Sequence, residues 1–198
     1  TRARALLKQV LDRNPKSIYG LFTEAKFQLL DGKNQEGADR LRQVIDEQPS
    51  SNAHYLLSSA YSRLGQLDQA RSELIQSLQL DPTNLRARVD LVSQYLRTDK
   101  LDLALQEAEN GLAQQPGNAP FTLLAAEALL RLDRKAEARE KLADIKPEFL
   151  GTTALRVRAA NLYRMLGDGA KASAMVAEAV RAAPRDIAAL RSYVAIEG

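Results

Sequence analysis

Residues 50–82 read SSNAHYLLSSAYSRLGQLDQARSELIQSLQLDP, and this stretch decides the fold. Its apolar residues recur at helical spacing, in two runs separated by Gly65-Gln66. The first run predicts a helix from about Asn52 to Leu64. Gly65 suits the turn, because glycine takes the left-handed conformation at a helix end without strain. The second run predicts a helix from about Asp68 to Leu80, with the Asp68 carboxylate near the exposed N–H groups of its first turn. Asp81-Pro82 stops it, since the residue before proline disfavours the α region.

Outward from this stretch the same unit returns. Tyr61, Tyr95, Leu129 and Tyr163 lie 34 residues apart, as do Ala70, Ala104, Ala138 and Ala172, and so do the turn positions Gly65, Asp99, Asp133 and Gly167. Prolines close the units at Pro15, Pro49, Pro82, Pro116 and Pro184; Pro147 falls three residues early, so its loop is expected to take a different path. A period in this range is the mark of a stacked repeat architecture.

The unit resembles the tetratricopeptide repeat. That family sets a small residue beside a large one in its first helix, helix A. Ser58 with Tyr61, Ala126 with Leu129 and Ala160 with Tyr163 match, and Val92 with Tyr95 fits less closely. It wants a small residue early in its second helix, helix B, met by Gly37, Ala70, Ala104, Ala138 and Ala172. An apolar residue one turn later follows at Leu41, Leu74, Leu142 and Val176, with Ala108 undersized. The family's signature tryptophan is replaced by Leu21, His54, Arg88, Thr122 and Arg156. The resemblance implies an all-α fold, an α-α superhelix of five full repeats (16–50, 51–83, 84–117, 118–150 and 151–185) between half repeats at 1–15 and 186–198. Small side chains let paired helices approach closely, and each repeat leaves an apolar face that its neighbour buries. The half repeats, with apolar Ile187, Leu190, Tyr193 and Val194 at one end, predict a piece of a longer superhelix and a capacity for end-to-end self-association.

Composition narrows the function. Lys and Arg number 28 against 25 Asp and Glu, interspersed, which argues against a nucleic-acid stripe despite a pI near 9.2. With no cysteine there is neither a disulfide framework nor a thiolate zinc site. No apolar run is long enough to span a bilayer, and the chain does not open on a signal-peptide pattern. Cytoplasm and cell envelope both remain open, the periplasmic side slightly favoured. The glycines form no phosphate-binding loop. His54 is the sole histidine and reads as a structural side chain. Glu107 with Glu109 and Glu137 with Glu140 read as solvated pairs. No catalytic, cofactor or metal site is therefore expected.

In the tetratricopeptide family helix A lines an inner groove. Carried across, the groove positions are Tyr19, Phe22, Lys26 and Leu30 in the first repeat, then Asn52, Tyr55, Ser59 and Arg63. Arg86, Val89, Ser93 and Arg97 follow, then Leu123, Glu127 and Arg131, and finally Val157, Asn161, Arg164 and Met165. Arg63, Arg97 and Arg131 form a column that could grip carboxylates. Each also sits in the last turn of its helix, where a cation suits the negative pole, and that reading comes first. The Lys and Asn of the family's chaperone-tail clamp are not matched: Phe22 with Lys26, Tyr55 with Ser59 and Val157 with Asn161 stand there instead. The expected function is a scaffold that binds a peptide, helix or partner protein in the groove. The alternative is a non-catalytic domain of a bacterial envelope polysaccharide assembly, export or sorting system.

Overall fold

A computed structural model of the chain describes residues 2–143, 145 and 150–197. Among them are twelve α-helices and no strand. In order these are α1 (Arg2–Arg13), α2 (Ile18–Leu30), α3 (Asn34–Glu47), α4 (Ser51–Arg63), α5 (Leu67–Leu80) and α6 (Leu85–Arg97). They continue as α7 (Leu101–Gln114), α8 (Ala119–Arg131), α9 (Lys135–Ala143), α10 (Thr153–Met165), α11 (Gly169–Ala182) and α12 (Ile187–Glu197). The helices fall into two compact units, Thr1–Gln94 and Tyr95–Gly198, whose boundary lies inside α6. In the first, α2 packs on α3, α3 on α4 and α4 on α5; in the second, α7 packs on α8, α8 on α9 and α10, and α10 on α11 and α12. Pro147 lies outside the described residues.

Helix starts and stops follow local chemistry. Each helix A opens on a side-chain cap: Ser17, Ser50, Asn84, Asn118, Thr152 and Asp186 accept from the backbone N–H of Gly20, Ala53, Ala87, Phe121, Leu155 and Ala189. Such a cap contributes about 1 kcal/mol by satisfying an N–H that the helix leaves open. The Ser50 cap starts α4 one residue before the expected Asn52. At the other end of α2, α4, α6, α8 and α10, Gly32, Gly65, Asp99, Asp133 and Gly167 all take φ between 57° and 78°. The turn column seen in the sequence is thus a column of left-handed residues, and two of its members carry a side chain.

The core is built on contact distance. Ala25, Ala126 and Ala160 in the first helices, and Ala38, Ala70, Ala104, Ala138 and Ala172 in the second, are fully buried. The larger Tyr61, Leu129 and Tyr163 are buried beside them. Successive repeats meet through a second pair of positions whose sizes vary inversely. Gly20 receives Leu11, whose Cδ2 would lie 2.7 Å from an added Cβ. By register Val44 answers Ala53, and Ser77 answers Ala87. At Gly111 the partner is the fully buried Phe121 ring, with ring atoms 2.6–2.7 Å from where a Cβ would stand. Ser77 adds a polar variant of this contact: Ser51 Oγ lies 2.9 Å from Ser77 Oγ, and the Asn84 amide donates to Ser51 Oγ at 2.8 Å.

Three members of the tryptophan column make side-chain hydrogen bonds. His54 Nδ1 lies 2.6 Å from Glu73 Oε2, joining α4 to α5. Arg88 donates to the Pro82 carbonyl at 2.9 Å, and Thr122 to the Asn118 carbonyl at 3.1 Å.

Two stability outcomes are expected. Gly111→Ala drives a methyl into the Phe121 ring and should cost about 1–3 kcal/mol in urea unfolding, part of which Gly111→Ala with Phe121→Leu should recover. Asp133→Gly relieves a left-handed residue whose side chain is exposed and should raise stability by up to about 1 kcal/mol. A loss in its place would show that the Asp133 side chain stabilises the turn.

Candidate functional site

The first helices of unit 1 set three rows of side chains across α2, α4 and the start of α6. Tyr19, Asn52 and Arg86 form one; Phe22, Tyr55 and Val89 the next; Lys26, Ser59 and Ser93 the third. Tyr19 is 84% exposed, unusual for a tyrosine on a folded helix. With Ile18, Phe22, Val44, Gln48, Ser50 and Asn52 it walls a cleft of 220 Å³. Phe22, Tyr55 and Val89 are half-buried, so each still shows an apolar surface. The serines bring no polar demand to this face, because Ser59 donates to the Tyr55 carbonyl and Ser93 to the Val89 carbonyl.

Lys26, Arg86 and Asp90 are the charged side chains beside these three rows. The Tyr55 hydroxyl is hydrogen-bonded to Asp90; burial first, and then the Asp90 charge, push its ionisation upward, while Arg86 acts in the opposite sense. Asp90 is thereby engaged. Lys26 lies over the Phe22 ring at 5.8 Å, and neither Lys26 nor Arg86 has a carboxylate partner among the described residues.

The arginine column divides. Arg63 donates to the Leu29 carbonyl at 2.7 Å, and Arg131 to the Leu96 carbonyl at 2.5 Å and to Asp99 at 2.7 Å. Each guanidinium thus reaches back to the C-terminal turn of the helix A one repeat earlier, where a partial negative charge collects. Arg97 is exposed and makes no hydrogen bond or ion pair among the described residues. The arginine column is therefore two inter-repeat ties and one unengaged side chain.

Unit 2 corrects the groove assignment further. Leu123 is fully buried and belongs to the core, because α8 buries ten of its thirteen residues. Glu127 is held by Arg158 of α10 through Nε at 2.9 Å and Nη2 at 2.6 Å. Asn161 Oδ1 takes a hydrogen bond from Ser192 at 3.3 Å, and Val157 is half-buried. Arg164 and Met165 are exposed. Among the described residues no helix is long and apolar enough to cross a membrane, and no group of three His, Asp or Glu side chains could hold a metal ion.

Helix pairs repeating every 34 residues, nested through small side chains, define the class of helical-repeat scaffolds. The chain carries tetratricopeptide repeats: profiles of that family match residues 51–84 and 89–149. The fold is shared with TTC0263, a thermophilic TPR protein of Thermus thermophilus, at 19% identity over 91% of this chain and 98% of that one, with a TM-score of 0.70. YrrB, a TPR protein with an unusual peptide-binding site, aligns at 14% identity over 94% and 96% of the two chains, with a TM-score of 0.66. PilF of Pseudomonas aeruginosa aligns at 15% identity over 96% and 87%, with a TM-score of 0.74. No curated protein sequence matches. Proteins of this fold hold protein or peptide partners and in general are scaffolds, not catalysts.

One engaged and one unengaged arginine give a direct check. Arg131→Ala removes charge-assisted hydrogen bonds and should cost about 1.5–3 kcal/mol in chemical unfolding, whereas Arg97→Ala should stay within about 0.5 kcal/mol of the parent. Equal losses at both would refute the division.

Proposed function

We propose that this chain is a protein-interaction scaffold that holds a peptide, helix or partner protein against the inner face of unit 1, on α2, α4 and the first turns of α6. One observation carries this reading. Tyr19, among the most exposed apolar side chains of the unit, stands at the mouth of a cleft and on the same face as Phe22 and Tyr55. The alanine columns, the caps and Arg63 hold the repeats together, and Tyr19 takes no part in that. Exposed aromatic surface beside a cleft is what a partner's side chain can bury, since tyrosine offers large area at low entropy cost. In α8 of unit 2 the corresponding positions are closed by burial of Leu123 and by the Glu127–Arg158 pair. Nothing in the geometry singles out envelope polysaccharide assembly as the setting.

Photo-crosslinking in the native cell tests the face. A crosslinkable residue at position 19 or 52 should give discrete protein adducts, and the same residue at position 39 or 76, on exposed positions of α3 and α5, should not. With the captured partner purified, Tyr19→Ala should weaken binding about tenfold with helicity unchanged in circular dichroism. Adducts arising from positions 39 and 76 alone would place the partner elsewhere and end this reading.

A further inference from the structure

Arginines that leave the surface of this chain find hydrogen-bond acceptors, with one exception. Among the described residues, Arg40, Arg71, Arg88, Arg156 and Arg158 are the arginines that are not exposed. Arg40 donates to Gln43, Arg71 to Asp68, Arg88 to the Pro82 carbonyl and Arg158 to Glu127. Arg156, on α10, makes no hydrogen bond among the described residues. Its Nε is buried without an acceptor, and Glu178 Oε2 stands 3.9 Å away, beyond hydrogen-bond distance. An acceptor missing from a half-buried guanidinium is costly and asks for a cause. The other members of the tryptophan column show no such gap: Leu21 is apolar, and His54, Arg88 and Thr122 are each bonded.

At Arg156 a cleft of 420 Å³ opens between α10 and α11, walled by Arg156, Glu178, Arg181 and Ala182. Arg181 is exposed, has no carboxylate partner among the described residues, and spends only Nε, in a long bond of 3.5 Å to the Ala177 carbonyl. We infer that this cleft binds a small hydroxylated oxyanion, a phosphate ester or a carboxylate with a hydroxyl group beside it. The inference is independent of the groove of unit 1. Two guanidinium forks suit the oxygens of a phosphate or carboxylate, which each can take in pairs. Glu178 only accepts, so it selects for a ligand that also donates, and a hydroxyl does. A bare anion would meet the Glu178 carboxylate with nothing to offer it. A cation would face two guanidiniums, and a neutral polyol would leave both without a counter-charge.

Nuclear magnetic resonance of the arginine Nε–Hε groups in the full chain tests this. Glycerol 3-phosphate and glycerate are the probes for the two sources of the oxyanion; sulfate is the anion without a hydroxyl, and glycerol the hydroxyl without an anion. The Arg156 and Arg181 signals, assigned from Arg156→Lys and Arg181→Lys, should shift saturably with at least one of the two probes, while that of Arg97 stays in place. The better probe names the source. Each Lys variant keeps the charge but loses the fork, and should weaken binding about fivefold, as loss of a charge-assisted hydrogen bond in an open cleft implies. Circular dichroism should show unchanged helicity. Glu178→Gln should tighten sulfate and narrow its disadvantage against the better probe. No saturable shift with either probe, equal shifts at Arg97, or binding indifferent to both Lys variants would overturn the site. Sulfate binding as tightly as both probes would overturn the choice of a hydroxylated ligand.

Discussion

Everything in this fold depends on how closely two helix backbones may approach. Where Ala70, Ala104, Ala138 and Ala172 sit, the facing helix comes down onto a methyl group, and at Gly37 the Leu29 side chain lies against the bare backbone. Such contacts admit no extra atom, because a protein interior is packed as densely as an organic crystal. The tyrosines and leucines alongside then fill the remaining space. Hydrogen bonds refine this geometry and do not set it: the capped first turns fix where each helix A begins, and the left-handed residues fix where it turns back.

The face left over is what the protein can use. In unit 1 the helices A are anchored from behind by their alanines and from the end by Arg63; Phe22 packs partly against the core and Tyr55 bonds Asp90, while Tyr19 and Lys26 stand exposed. In α8 of unit 2 the same positions are drawn into the core at Leu123 or into an ion pair at Glu127, while Arg164 and Met165 of α10 stay exposed. Two stretches of one repeat family thus differ in what they offer to solvent, although their backbones follow one plan.

The fold was legible in the sequence because it repeats. A single Ala or Gly carries little information, but a column of them at constant spacing does. The turn column was visible for the same reason. The cap column was equally regular, from Ser17 to Asp186, yet its residue type changes among Ser, Asn, Thr and Asp, so identity alone hid it. The site was less legible. Leu123 carries the right register for a groove residue, and only the burial of α8 removes it. Arg63 and Arg131 read first as cations suited to the negative pole of their own helices, because a side chain that reaches back one whole repeat leaves no local trace in the sequence. Lys26 and Arg86 were named among the groove positions, but that they lack counter-ions is a property of three dimensions.

The inverse sizes at the repeat junctions bear on assembly of the chain itself. A helix bearing Phe121 fits only behind a helix bearing a glycine, and a helix bearing Leu11 only ahead of one bearing Gly20. Were α8 to settle on α5, the ring would collide with Ser77; were α7 to settle ahead of α2, a hollow would open where Leu11 belongs. Look-alike modules strung on one polypeptide are prone to dock out of turn. Here the order of docking is keyed into the junctions, much as unequal teeth admit a key in one lock.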